Sequence, residues 1–195
     1  MGPFIPSITL TDPDKITRRL MVKEKPIKDS DGVRGALGKA MTSKGRLVVV
    51  WKPNPKNSWY DKYFCHGHSL GTYRRHGYSV TSAKSIFFAL EDECYEIGSG
   101  QRSVSAIQLL KIGDIVSFAE LSGRIMHTAK VFCIDINPNV PLRPIEFNDI
   151  ILSSKNEYHP DCLQSLETTF INCQTAHMVR FWRDKLTCFD ATMHS

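Results

Sequence analysis

Residues Arg46 to Trp51 read Arg-Leu-Val-Val-Val-Trp, a continuous apolar run of strand length closed by Pro53 and Pro55, and the run predicts a buried β-strand. Ahead of it the pattern is broken. Pro3, Pro6, Pro13 and Pro26 among charged residues make positions 1–30 an extended lead-in, with a short helix expected from Thr11-Asp12 to Met21. A second helix is expected over Asp31 to Ser43, capped by Ser30 or Asp31, although Gly35 and Gly38 oppose it. Beyond the strand, Cys65 opens a helix that Gly67 to Tyr73 can continue, and Ser82 caps an apolar stripe from Ala83 to Tyr95. From Val104 the pattern turns to strands: Ala106–Leu110, Asp114–Phe118, His127–Ile134 and Ile145–Ser153. A short helix over Asp161–Thr168 and a strand over Ala176–Trp182 complete the chain. Helices first and sheet afterwards predict an α+β architecture, with N-terminal helices packed on a C-terminal antiparallel sheet.

Composition narrows the classes. At 195 residues, 42% of them hydrophobic, the chain builds one substantial core and is expected to form a single domain over 46–195, preceded by a partly helical extension over 1–45. No run of about 18 apolar residues occurs, so no transmembrane segment and no Sec-type signal is expected. Gly2 is followed by Pro3, and Pro6 stands where myristoylation wants Ser or Thr, which argues against lipidation. The net charge of +5 is spread over 25 basic and 20 acidic residues without a basic block interleaved with aromatics, so no nucleic-acid partner is expected. Six cysteines without a CxxC pair predict reduced thiols and a cytoplasmic origin, compatible with export by a specialised non-Sec system.

The chemistry-bearing residues form a series. Cys65 stands at a helix start, where backbone N–H groups favour thiolate; His127 opens a strand; Asn156 closes the strand that returns beside it. Nucleophile, base and orienting group can meet in this order. Glu157, Asp135 and Asp149 are alternatives for the third member. An oxyanion would be met by the Cys65 backbone N–H, with Asn57 as a second donor, and His66 would flank the cleft. His66 and His68 beside Cys65 also raise a zinc site, but zinc takes four ligands, commonly as two separated pairs, so neither metal nor cofactor is expected.

Two passages carry a resemblance. Lys111-Ile112-Gly113-Asp114-Ile115-Val116-Ser117-Phe118 followed by Met126-His127-Thr128-Ala129-Lys130-Val131 resembles the Gly-Asp strand and His strand of NlpC-type and CHAP amidases. Ile150 to Glu157 is similar to the papain strand that ends in the orienting Asn. The resemblance to papain-like cysteine hydrolases implies a papain-like fold, Cys65 as nucleophile, His127 as base and Asn156 as orienter. It departs at the missing Gln ahead of Cys65. The implied activity is protease or peptidoglycan-type amidase, as in bacterial effectors and toxins, on a peptide, peptidoglycan or host-protein substrate. Deamidation of protein Gln or Asn is the alternative on the same chemistry. A reading of another class is a binding module that presents Trp51, Trp59 and Tyr60.

Overall fold

The computed structural model describes residues 25–29, 32–54, 65–70, 79–100, 104–135, 143–155 and 161–185. Among the described residues ten strands form two antiparallel sheets. Strands β1 (Lys25–Asp29), β2 (Gly32–Met41), β3 (Leu47–Pro53) and β4 (Ser79–Val80) form the first, in that order. The second holds β5 (Cys94–Gly100), β6 (Ile115–Ala119), β7 (Ile125–Ile134), β8 (Ile150–Lys155), β9 (Asp161–Ser165) and β10 (Met178–Asp184), ordered β5-β10-β6-β7-β8-β9. Among the described residues four short α-helices punctuate them: α1 (Cys65–Ser69), α2 (Ala83–Glu93), α3 (Val104–Ile107) and α4 (Leu166–Asn172).

The six-stranded sheet is covered on both faces. Ile115, Ala119, Ile125 and Trp182 pack against Ile86 and Leu90 of α2 and against Val48, Val50 and Val80 of the first sheet. On the other face Val116, Phe118, Ala129, Leu152 and Phe181 pack against Ile107 and Leu166 of α3 and α4. Buried on both sides, β6 reads as an unbroken run of five buried residues instead of an alternation.

The expected layout of N-terminal helices on a C-terminal sheet is therefore corrected: the fold is two antiparallel sheets with short helices. The largest change falls on Asp31–Ser43, where β2 replaces a helix. Tertiary packing selects the strand. A Cβ on Gly35 would lie 2.6 Å from the Trp51 ring and 2.4 Å from the Lys52 carbonyl, so the glycine that weakens a helix is what lets Trp51 close over β2. The strand expected at Ala106–Leu110 is a helical turn, with Ala106, Ile107 and Leu110 buried and Leu109 exposed, a helical phase. Asp161–Thr168 divides into β9 and α4, because Ser165 accepts the Thr168 N–H at 3.1 Å and caps the helix there. Cys94, with extended backbone, ends α2 and starts β5, which no pattern announced. Phe147–Asp149 forms a short turn ahead of β8, where a strand over Ile145–Ser153 was expected. The Thr11–Met21 helix lies outside the described residues. Strand β3 and the Ser82-capped helix α2 stand as expected.

The Gly113-Asp114 pair has a structural function. Gly113 adopts φ +94°, open to glycine at little cost, and Asp114 accepts the Lys111 N–H at 2.7 Å. Arg183 grips the same carboxylate at 2.8 and 2.7 Å, tying the start of β6 to β10.

Helix α2 ends on Glu91, Asp92 and Glu93, negative charge at the negative end of the helix dipole. Arg46 offsets it, donating to Glu91 and Asp92, each at 2.8 Å, and lying over the Phe88 ring at 4.3 Å. Burial alone would raise the Asp92 carboxyl, but hydrogen bonds from Arg46 and Thr42 hold it below the usual carboxylate value. Replacing Arg46 by Met keeps the stem and leaves the buried Asp92 carboxylate to Thr42 and to the Lys44 ammonium at 3.6 Å, so we expect a loss of about 2 kcal/mol in urea unfolding. A loss under about 1 kcal/mol would show that solvent already screens the pair.

Candidate active site

Helix α1 begins at Cys65 and packs against β7 and β8, with a further contact to β4. A bulge fixes how β7 meets it. Ala119 pairs with Ile125 and Phe118 with His127, so Met126 is the extra residue and faces solvent. From there the alternation puts Thr128 on the face that α1 covers. His127 turns to the opposite face, where its ring lies 5.7 Å from that of Phe118.

Four side chains meet at the helix start. Cys65 Sγ lies 3.5 Å from His66 Nδ1, and His66 Nδ1 lies 2.9 Å from Thr128 Oγ1. Ser69 Oγ lies 2.7 Å from the same Thr128 oxygen and donates to the Cys65 carbonyl at 3.0 Å. One turn along, His68 Nε2 meets Ser153 Oγ of β8 at 2.8 Å. His127 is buried, and its Nε2 has no hydrogen-bond partner among the described residues.

Electrostatics set the resting protonation states. Burial pushes the Cys65 thiol up, opposed by hydrogen bonds from Thr128 and His66 that favour the thiolate. His66 is lowered to about 3 by burial and by His127, and His127 to about 4 by burial and by His68. Both imidazoles are neutral at pH 7, and the thiol keeps its proton. Cys173 is pushed up to about 11 by burial and by Cys65. The five described cysteines are free thiols.

Of the residues expected from sequence, Cys65 and His66 come together beside Thr128, while His127 lies on the opposite face of β7 and is near enough to act on the His66 charge. Cys65 and His127 do not hydrogen-bond to each other: the thiol meets His66 Nδ1, and His127 Nε2 has no partner among the described residues. Asp135 and Asp149 stand together elsewhere. The Asp135 N–H donates to the Asp149 carbonyl at 2.7 Å, eight positions along β7 from His127, roughly 25 Å at strand rise. Arg143 grips the Asp149 carboxylate at 2.7 and 2.6 Å. Neither carboxylate reaches His127. Asn57, Asn156 and Glu157 lie outside the described residues.

Thr128, Ser69 and Ser153 were missed by sequence reasoning. A faint signal exists for Ser69, four residues after Cys65 and hence above it on a helix. None marks Thr128, whose partners on α1 lie 59 and 62 residues away. Among the described residues no group of three or more His, Cys, Asp or Glu is arranged to hold a metal ion. No described helix is long and apolar enough to cross a membrane.

Comparison of the chain with known protein families, curated proteins and solved structures finds no match.

Proposed function

We propose that the protein is a thiol hydrolase of amide bonds, with Cys65 as nucleophile, His127 as general base and Asn156 as the orienting group. The observation that carries the reading is a helix-start thiol 3.5 Å from His66 Nδ1, with a second neutral, buried imidazole, His127, near enough to act on the His66 charge and without a partner on Nε2 among the described residues. Burial keeps the Cys65 sulfur protonated, so attack needs a base, and His127 is neutral and able to accept the proton.

The cycle balances in two halves. His127 takes the thiol proton as sulfur adds to the carbonyl carbon, then returns it to the departing amine as the C–N bond breaks and a thioester remains. Water, deprotonated by the same imidazole, adds to the thioester; the acid leaves and the thiol is restored. Peptides, peptidoglycan stem peptides and host proteins are the substrate classes, through proteolysis or amidase action. A side-chain carboxamide as substrate would make the same step a deamidation. Free thiols suit synthesis in the reducing cytoplasm, with export by a non-Sec route.

Iodoacetamide labelling at neutral pH, followed by peptide mapping, tests the reading. Burial alone makes Cys65 one of the slowest of six thiols, whereas a coupled base makes it the fastest, and His127→Ala removes that advantage. Slow labelling of Cys65 in the wild-type protein sinks the proposal in favour of a binding module.

A further inference from the structure

Two groups meet the Thr128 hydroxyl, His66 Nδ1 and Ser69 Oγ, and their hydrogen count decides which ring nitrogen of His66 carries the proton. Ser69 Oγ stands 3.0 Å from the Cys65 carbonyl and 3.3 Å from the His66 carbonyl. A carbonyl oxygen only accepts, so the single Ser69 hydroxyl hydrogen is given to these groups. The 2.7 Å contact between Ser69 Oγ and Thr128 Oγ1 is then one in which Thr128 donates. With its own hydrogen used, Thr128 Oγ1 must accept at its 2.9 Å contact with His66 Nδ1. His66 therefore carries its proton on Nδ1, and that N–H also faces Cys65 Sγ at 3.5 Å.

We propose that Thr128 is the positioning residue of the Cys65 site: it fixes a one-way chain His66→Thr128→Ser69→α1 carbonyl that makes His66 a hydrogen-bond donor to the sulfur and not the acceptor of the thiol proton. The inference rests on the reading of Cys65 as nucleophile. A ring nitrogen that already carries a hydrogen cannot accept the thiol proton, but it stabilises the sulfur anion once formed. His68 Nε2 is engaged by Ser153, and among the described residues His127 Nε2 is a buried ring nitrogen without a partner.

The titratable groups around His66 are Cys65, His68, His127 and Cys173, with Lys130 of β7 and Lys155 of β8 on the strand face that α1 covers. Among the described residues no carboxylate joins them to pull the Nδ1 proton into an ion pair. The hydroxyl chain is left to set the tautomer.

The test uses the full chain with Thr128→Val and Thr128→Ser. Ring nitrogen shifts of ¹⁵N-labelled protein report the His66 tautomer, and iodoacetamide rates across pH report the apparent pKa of Cys65. The wild type is expected to show His66 with Nδ1 protonated. Thr128→Val, close in shape but without a hydroxyl, is expected to move His66 toward the Nε2-protonated form and raise the apparent Cys65 pKa. The neutral-pH rate should fall about tenfold, the effect of one lost hydrogen bond to a charged group. Thr128→Ser should restore both. A wild-type His66 protonated on Nε2 overturns the proposal, as does a Thr128→Val protein that unfolds earlier yet keeps the Cys65 profile unchanged. His127→Ala separates the two readings: it should remove hydrolysis and leave the His66 tautomer unaltered. If Cys65→Ala leaves hydrolysis intact, the nucleophile assignment fails whatever the tautomer shows.

Discussion

Replacing Cys65 by alanine is expected to remove hydrolysis of a denatured protein or of purified peptidoglycan, lowering kcat by about four orders of magnitude or more. The expectation follows from covalent catalysis: without the sulfur no thioester forms, and what is left is binding and whatever polarises the carbonyl. Fold should be little affected, because the thiol is half-buried and its loss opens little space. His127→Ala should cost nearly as much, and the double variant no more than either single one, since base and nucleophile act as a unit. Product mass spectrometry provides the readout. A gain of about one mass unit on Gln or Asn would identify deamidation, and chain scission would identify proteolysis. Cleavage by Cys65→Ala at more than a tenth of the wild-type rate rules the assignment out.

The second large effect is on stability in mild acid. Burial lowers His66 to about 3 and His127 to about 4, against the ordinary value of 6.5 that the unfolded chain regains. The unfolded state therefore binds protons that the native state refuses. Stability is full above pH 6.5 and falls as the pH drops from there toward 4. Each histidine contributes a slope of about 1.4 kcal/mol per pH unit where it alone is charged in the unfolded state. The Asp92 contribution has the opposite origin and another window: its carboxyl is lowered by Arg46, so its stabilising part persists until the pH falls below the ordinary carboxylate range. Urea unfolding at pH 7, 6, 5 and 4.5 measures the histidine part, and His66→Asn with His127→Asn should flatten it. A wild-type curve flat between pH 7 and 4.5 would mean that the imidazoles are not held neutral.

These two effects depend on different depths of the chain's information. Helix α2 was legible because its cap and apolar stripe lie within a dozen residues, and β3 because its apolar run is continuous. Strand β2 was illegible because Gly35 looks like a helix breaker until Trp51, sixteen residues on, is seen to lie across it. The helix expected over Asp31–Ser43 is therefore sheet. At the site, Cys65 at a helix start and His127 near a strand start were readable, and both stand there. The face each side chain takes was not, because a one-residue bulge at Met126 resets the alternation of β7.

The sequence by itself determined the local elements: a capped helix α2, the Gly113 turn, the apolar strands and a thiol opening α1. Such signals are carried by residues within a turn or two of one another, where backbone sterics and hydrogen bonding act directly. The tertiary structure decided that two sheets replace a helical layer and that Arg46 neutralises the end of α2. It also decided that Thr128, rather than His127, meets the His66 ring beside the thiol. These are pairings between residues some 46 to 62 positions apart, and strand register and packing, not local preference, choose among them.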